Sequence, residues 1–137
     1  MKAESTVMPT GAYEIEFDGD MAKITFYENV MEQAPEGDEP VEYVYDAYSI
    51  NVRDRENLIA TIDASTADWL KLAKETEYNT LANEIRAERD RLLAASDRYV
   101  LPDYPIADKN AALIYRQSLR DVPDQEGFPY QVVWPTL

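Results

Sequence analysis

With 137 residues, 27 acidic against 13 basic side chains and a formal charge of −14, the chain has room for one core or two small subdomains. It contains neither cysteine nor histidine, which excludes disulfides, thiolate nucleophiles, cysteine-type zinc sites and the imidazole that most often serves as general base or transition-metal ligand. A surface this anionic repels nucleic-acid backbones and anionic lipid, so neither nucleic acid nor a membrane is an expected partner.

Residues 1–11, polar and containing Pro9 and Gly11, read as a loose lead-in, and no apolar run of signal-peptide or membrane-spanning length follows. Tyr13, Ile15 and Phe17 then alternate with Glu14 and Glu16, and Ala22, Ile24 and Phe26 alternate with Lys23, Thr25 and Tyr27. Asp18-Gly19-Asp20 lies between the two runs, which is the signature of a β-hairpin. Pairing of Lys23 with a hairpin glutamate is expected across the strands. Residues 29–40, with Pro35, Gly37 and Pro40 among Glu32, Glu36, Asp38 and Glu39, read as an exposed acidic loop.

A third strand begins at Val41. Its apolar phase changes from Val41, Tyr43 and Tyr45 to Tyr48, Ile50 and Val52, which predicts a bulge or bend near Asp46-Ala47. Over residues 56–64, Leu58, Ile59 and Ile62 fit a short helix or a strand equally well. Ser65 with Asp68 three residues later reads as a capping box, and nothing breaks a helix from Thr66 to about Ala95. Trp69, in its first turns, is expected to pack on the sheet. Tyr78, Leu81, Ile85 and Leu92 form a narrow apolar stripe on it. That stripe suits either a partner helix, a homo-oligomeric contact included, or the C-terminal helix folding back through the loop 101–105.

The expected fold is therefore α+β: a small N-terminal antiparallel β-sheet, hairpin plus third strand, followed by a long helix and a shorter C-terminal helix with an extended tail. The boundary falls at Ser65, giving a β subdomain over 1–64 and a helical subdomain over 65–137. Acidity concentrates at the N-terminal end, with ten acids against two bases in residues 1–40.

Without histidine or cysteine, catalysis would rest on carboxylates, hydroxyls, Lys or Tyr. The paired carboxylates Asp18 with Asp20, and Asp38 with Glu39, sit in a tight turn and a Pro/Gly loop, where nothing would bury an acid and raise its pKa. The Asp18-Gly19-Asp20 turn also lacks the spaced oxygens of a calcium loop, and the chain has no Gly-rich phosphate loop. No catalytic, cofactor or metal residue is assigned. The strand tyrosines Tyr13, Tyr43, Tyr45 and Tyr48 suit sheet packing, and those facing outward suit a partner surface.

At the C-terminal end, Asp108 can cap a helix whose apolar face is Ala112, Tyr115 and Leu119. Pro123, Gly127, Pro129 and Pro135 then hold the chain extended or in turns. Phe128 and Trp134 would anchor such a tail against fraying. Arg116 and Arg120 share one helix face, where Asp121, Asp124 or a partner's carboxylates could meet them.

The ordered set Leu92-Leu93-Ala94, Asp97, Leu101-Pro102-Asp103, Tyr115-Arg116-Gln117, Leu119-Arg120-Asp121, Gly127-Phe128-Pro129 and Trp134-Pro135 resembles the C-terminal domain of the phage tail assembly chaperone family. The resemblance covers roughly residues 80 to 135. It departs from many members after Asp97, where Arg98 precedes the aromatic Tyr99 in place of a directly following Trp. The resemblance implies a non-enzymatic protein without cofactor that binds a phage tail fibre or other tail protein in the host cytoplasm and assists its folding or oligomerisation. It points to Tyr115, Arg116, Arg120, Phe128 and Trp134 as partner-binding residues. The alternatives are a minor component of the tail or baseplate retained in the virion, and an acidic DNA mimic. The clustering of charge in the first forty residues argues against the mimic, which would spread carboxylates over most of its surface.

Overall fold

A computed structural model describes residues 1–35 and 37–137, and the expected loop residue Glu36 lies outside the described residues. The chain divides into two compact units, Met1–Glu77 and Tyr78–Leu137. The first holds strands β1 (Lys2–Ser5), β2 (Tyr13–Asp18), β3 (Met21–Gln33) and β4 (Glu42–Arg53), then helix α1 (Leu58–Ala64). Helix α2 (Thr66–Ser96) supplies its first turns to this unit and the remainder to the second, which also contains helix α3 (Lys109–Arg120).

The four strands form one antiparallel sheet in the order β1-β4-β3-β2. The hairpin of β2 and β3 is in the expected register, Tyr13 opposite Phe26 and Asp18 opposite Met21. Gly19 opens its two-residue loop with φ +61°, as the tight loop between right-twisted strands requires. Lys23 stands opposite Glu16 at 3.9 Å, both exposed, so this ion pair adds little.

Alternation places Ala22, Ile24, Phe26 and Ile50 on one face, where all are buried. Leu58 and Ile62 of α1 and Ala73 of α2 complete that cluster, with Trp69, Leu70, Tyr13, Ile15, Tyr48 and Val52 packed against it. Trp69 thus packs as expected, and residues 58–64 resolve as helix because Leu58 and Ile62, four apart, share one face.

Three expectations about the sheet are corrected. The lead-in contains β1, too short and polar to register as alternation, which is zipped to β4 from Lys2 opposite Asp46 to Ser5 opposite Tyr43. The acidic loop is shorter than 29–40, because β3 continues to Gln33. The bulge lies in β3 instead of at Asp46-Ala47 of β4, since Glu28 opposes Asp46 but Met31 opposes Val44. Asn29, at φ +54°, takes the left-handed conformation there, which a short polar side chain tolerates. The phase change in β4 reflects two occupied faces: Tyr48, Ile50 and Val52 join the core, while Tyr45 meets Tyr27 edge-on at 5.3 Å on the other side.

The helix-covered face turns polar beside the bulge. Asn29 Nδ2 donates to Asp46 at 2.7 Å and Lys2 Nζ lies 2.9 Å from it. Lys74 of α2 pairs with Glu28 at 2.5 Å and sits over the Tyr48 ring. Charges at this edge are paired, which makes partial burial tolerable. The Ser65 capping box does not form, for the Ser65 hydroxyl turns back to Thr61 O at the end of α1.

Two outcomes follow. Phe26→Ala, which empties the centre of the sheet core, is expected to cost about 3–5 kcal/mol, read from urea unfolding. The Asn29 hydrogen bond, followed by Lys2, holds the Asp46 carboxyl below its ordinary range. Its contribution is therefore present above the unfolded-state pKa and is lost as the pH falls through the depressed folded value. Asp46→Ala should lower stability at neutral pH by about 1–2 kcal/mol, and the gap to wild type should close on acidification through that window.

Candidate functional site

The second unit is built along the later turns of α2. Its fully buried apolar side chains are Ala82, Ala112, Leu119 and Val122, two of them alanines, so apolar burial alone organises it weakly. Asp108 caps α3 as expected, accepting from the Ala111 N–H at 3.0 Å. A 3-10 turn, Asp97–Val100, follows α2 directly. Within this turn Arg98 lies 5.1 Å over the Tyr99 ring, which packs at 5.6 Å on Tyr104 of the following loop. Lys109 Nζ donates to Leu101 O and Pro102 O, both at 2.7 Å.

Arg116 is the polar centre of this unit. Its side chain is 12 % exposed; Nη1 donates to Leu93 O at 2.8 Å and to Ser96 Oγ at 2.7 Å, and Nη2 lies 2.8 Å from Asp97 Oδ1. Leu93 carries one of the last four carbonyls of α2, which have no partner within the helix. A guanidinium there satisfies one of them, complements the negative end of the helix dipole and ties α3 to the end of α2. Ser96, buried, donates in turn to Leu93 O at 2.8 Å, so the cluster is satisfied internally.

The tail returns along α2. After the 3-10 turn Val122–Asp124, Phe128 packs edge-on against Tyr78 with centroids 6.5 Å apart and lies 5.3 Å beneath the Arg86 guanidinium. Tyr130 meets the same Tyr78 ring at 6.3 Å. Gln125 clamps the strand-like end of the tail, its amide donating to Val133 O and accepting from Val133 N, both at 2.8 Å. Gly127 is required by close approach: a Cβ there would lie 2.5 Å from Gln131 O. The Phe128-Pro129 peptide is cis and Pro129 is buried.

The five residues singled out in the sequence thus occupy different settings. Arg116 is engaged inside the unit, its carboxylate being Asp97 and not Asp121 or Asp124. Phe128 is an anchor between Tyr78 and Arg86. Tyr115 and Trp134 are half-buried, and Arg120 is exposed at the end of α3. Asp121 instead accepts from Gln117 at 2.8 Å. Sequence reasoning missed the exposed apolar pair Leu113 and Ile114 on α3, 55 % and 60 % exposed, and Val133 at 78 %. The signal for the pair was available, because both lie off the Ala112–Tyr115–Leu119 face. Among the described residues no group of three or more acidic side chains is placed to hold a metal ion, and no helix is long and apolar enough to cross a membrane.

In comparison with known proteins, residues 82–137 match the family described as phage tail assembly chaperone protein. Neither the curated proteins nor the solved structures offer a match to the chain.

Arg116→Ala is expected to destabilise this unit by about 1.5–3 kcal/mol, since a charge-assisted cluster is left unpaired. Arg116→Lys should recover only part, because an ammonium lacks the guanidinium fork. Amide exchange across Ala94–Val100 and thermal unfolding check both. Unchanged protection in both variants would contradict the structural role.

Proposed function

We propose, from the premise that the segment 82–137 belongs to the phage tail assembly chaperone family, that this non-enzymatic protein binds a tail fibre or receptor-binding tail protein of its phage and assists its folding or oligomerisation. The match of residues 82–137 carries this reading. A fibre chain waiting for its trimer partners exposes strand edges and apolar faces that aggregate unless covered. The second unit offers complementary material on a fixed frame: Leu113 and Ile114 side by side on α3 and Val133 on the tail. Arg120 and Trp134 lie in the same unit and join the contact, while Tyr115, Arg116 and Phe128 hold its shape. The work takes place in the host cytoplasm, before the tail is complete.

The test is co-expression with the tail-fibre protein of the same genome, recording soluble trimer by size exclusion with light scattering. Wild-type protein is expected to raise the trimer yield. Leu113→Ser/Ile114→Ser, which alters exposed positions only, should keep the fold by circular dichroism and lose the effect. A fibre that folds equally well alone would overturn the chaperone reading. Retained assistance by the double variant would remove α3 from the contact.

A further inference from the structure

The first unit contains a second surface that the family match does not reach. Strand β2 ends the sheet, pairing with β3 on one side and with no described strand on the other. Ala12 O accepts from Tyr27 N at 3.2 Å, so in this register the even residues of β2 aim their backbone groups at β3. By alternation, Tyr13, Ile15 and Phe17 turn their N–H and C=O groups to the open edge. The side chains of the same three residues lie on the helix-covered face. There Phe17, 56 % exposed, borders a cavity of about 430 Å³ lined also by Asp54, Arg55, Asn57, Leu58, Ile59 and Asp63. Tyr13 donates to Asp63 at 2.5 Å, so α1 stands beside the strand over this length.

The charge on the edge selects the occupant. Glu14, Glu16 and Asp18 alternate along the outer row of β2 and are exposed, opposed by Lys23 alone at 3.9 Å from Glu16. Two β2 edges brought together would set these carboxylates against their own copies, which disfavours self-pairing. In the cavity, Asp54 and Asp63 outnumber Arg55, and Ile59, 52 % exposed, supplies apolar area.

We infer that the open edge of β2 and the adjoining cavity take an extended strand of a partner protein, basic in character, by strand addition. Tyr13, Ile15 and Phe17 give it main-chain hydrogen bonds, and its inward side chains enter beside Phe17 and Ile59. Its outward Lys or Arg side chains lie opposite Glu14, Glu16 and Asp18. The inference is independent of the tail-protein reading, since it depends on the first unit alone.

The test uses the full chain, isotope-labelled, titrated with a synthetic peptide of roughly ten residues alternating valine with lysine, the upper range of a single strand, and with its valine–glutamate counterpart. Amide shifts are expected at Tyr13–Asp18 and Leu58–Asp63 with the lysine peptide alone. Phe17→Pro removes an edge donor without removing a bond to β3. It should weaken binding about tenfold, as loss of an anchor does. Should that variant fail to fold, Glu14→Lys/Glu16→Lys replaces it, with binding expected to pass from the lysine to the glutamate peptide. Shifts confined to other surfaces, equal binding of both peptides, or no shift at millimolar peptide would overturn the inference. Because neither probe is a tail protein, such a failure leaves the co-expression result untouched.

Discussion

Burial of a single apolar sheet face is the constraint on which the first unit depends. Ala22, Ile24 and Phe26 are essentially without solvent contact, and they lie on β3, an inner strand. Large apolar side chains gain roughly 1.5–3 kcal/mol each when withdrawn from water, yet a strand can place them there only by committing its alternate residues to the other face. Leu58 and Ile62 of α1 and Ala73 of α2 therefore close one side, while Glu14, Glu16, Lys23 and Asn51 occupy the solvent side. The polar Asp46–Asn29–Lys2 group marks where the apolar cover ends and the bulge bends β3 away.

The second unit solves a different problem. With alanines at two of its four fully buried apolar positions, it substitutes directed interactions for volume: a guanidinium on one of the last carbonyls of α2, a glutamine amide clamping the tail, and an aromatic trio of Tyr78, Phe128 and Tyr130. Directed contacts of this kind fix one geometry, and a fixed geometry is what an exposed recognition surface requires. They also account for the residue types in the C-terminal segment. Arg116, Gly127 and Phe128 are each explained by an intramolecular contact, whereas Leu113, Ile114, Arg120 and Val133 are among the side chains directed at solvent.

The hairpin, the long α2 and the cap at Asp108 were legible in the sequence because each depends on neighbours in the chain: alternation around Gly19, an uninterrupted helical run, and a carboxylate three residues before Ala111. Strand β1 was not, because four residues with only Ala3 apolar carry no period, and its place follows from pairing with β4, 38 to 44 residues away. The bulge was assigned to the wrong strand for a related reason. The phase change is visible in β4, but the extra residue that accommodates the pairing belongs to β3, and only the register between them tells which strand carries it. Of the site, the anchoring of Phe128 was readable from its size in a proline-rich tail. The task of Arg116 was not, since Leu93 and Ser96 are more than nineteen residues away and an arginine on a helix face looks the same whether it faces solvent or a helix end.

The proposed role is action on a tail protein during assembly, as against a place in the finished tail. The most direct measurement is quantitative mass spectrometry of the protein in infected-cell lysate, fractionated by size, and in purified virions. The account predicts that it co-fractionates with unassembled tail protein and is lost from mature particles. A fixed copy number per virion would contradict it, and would make the protein a component of the tail.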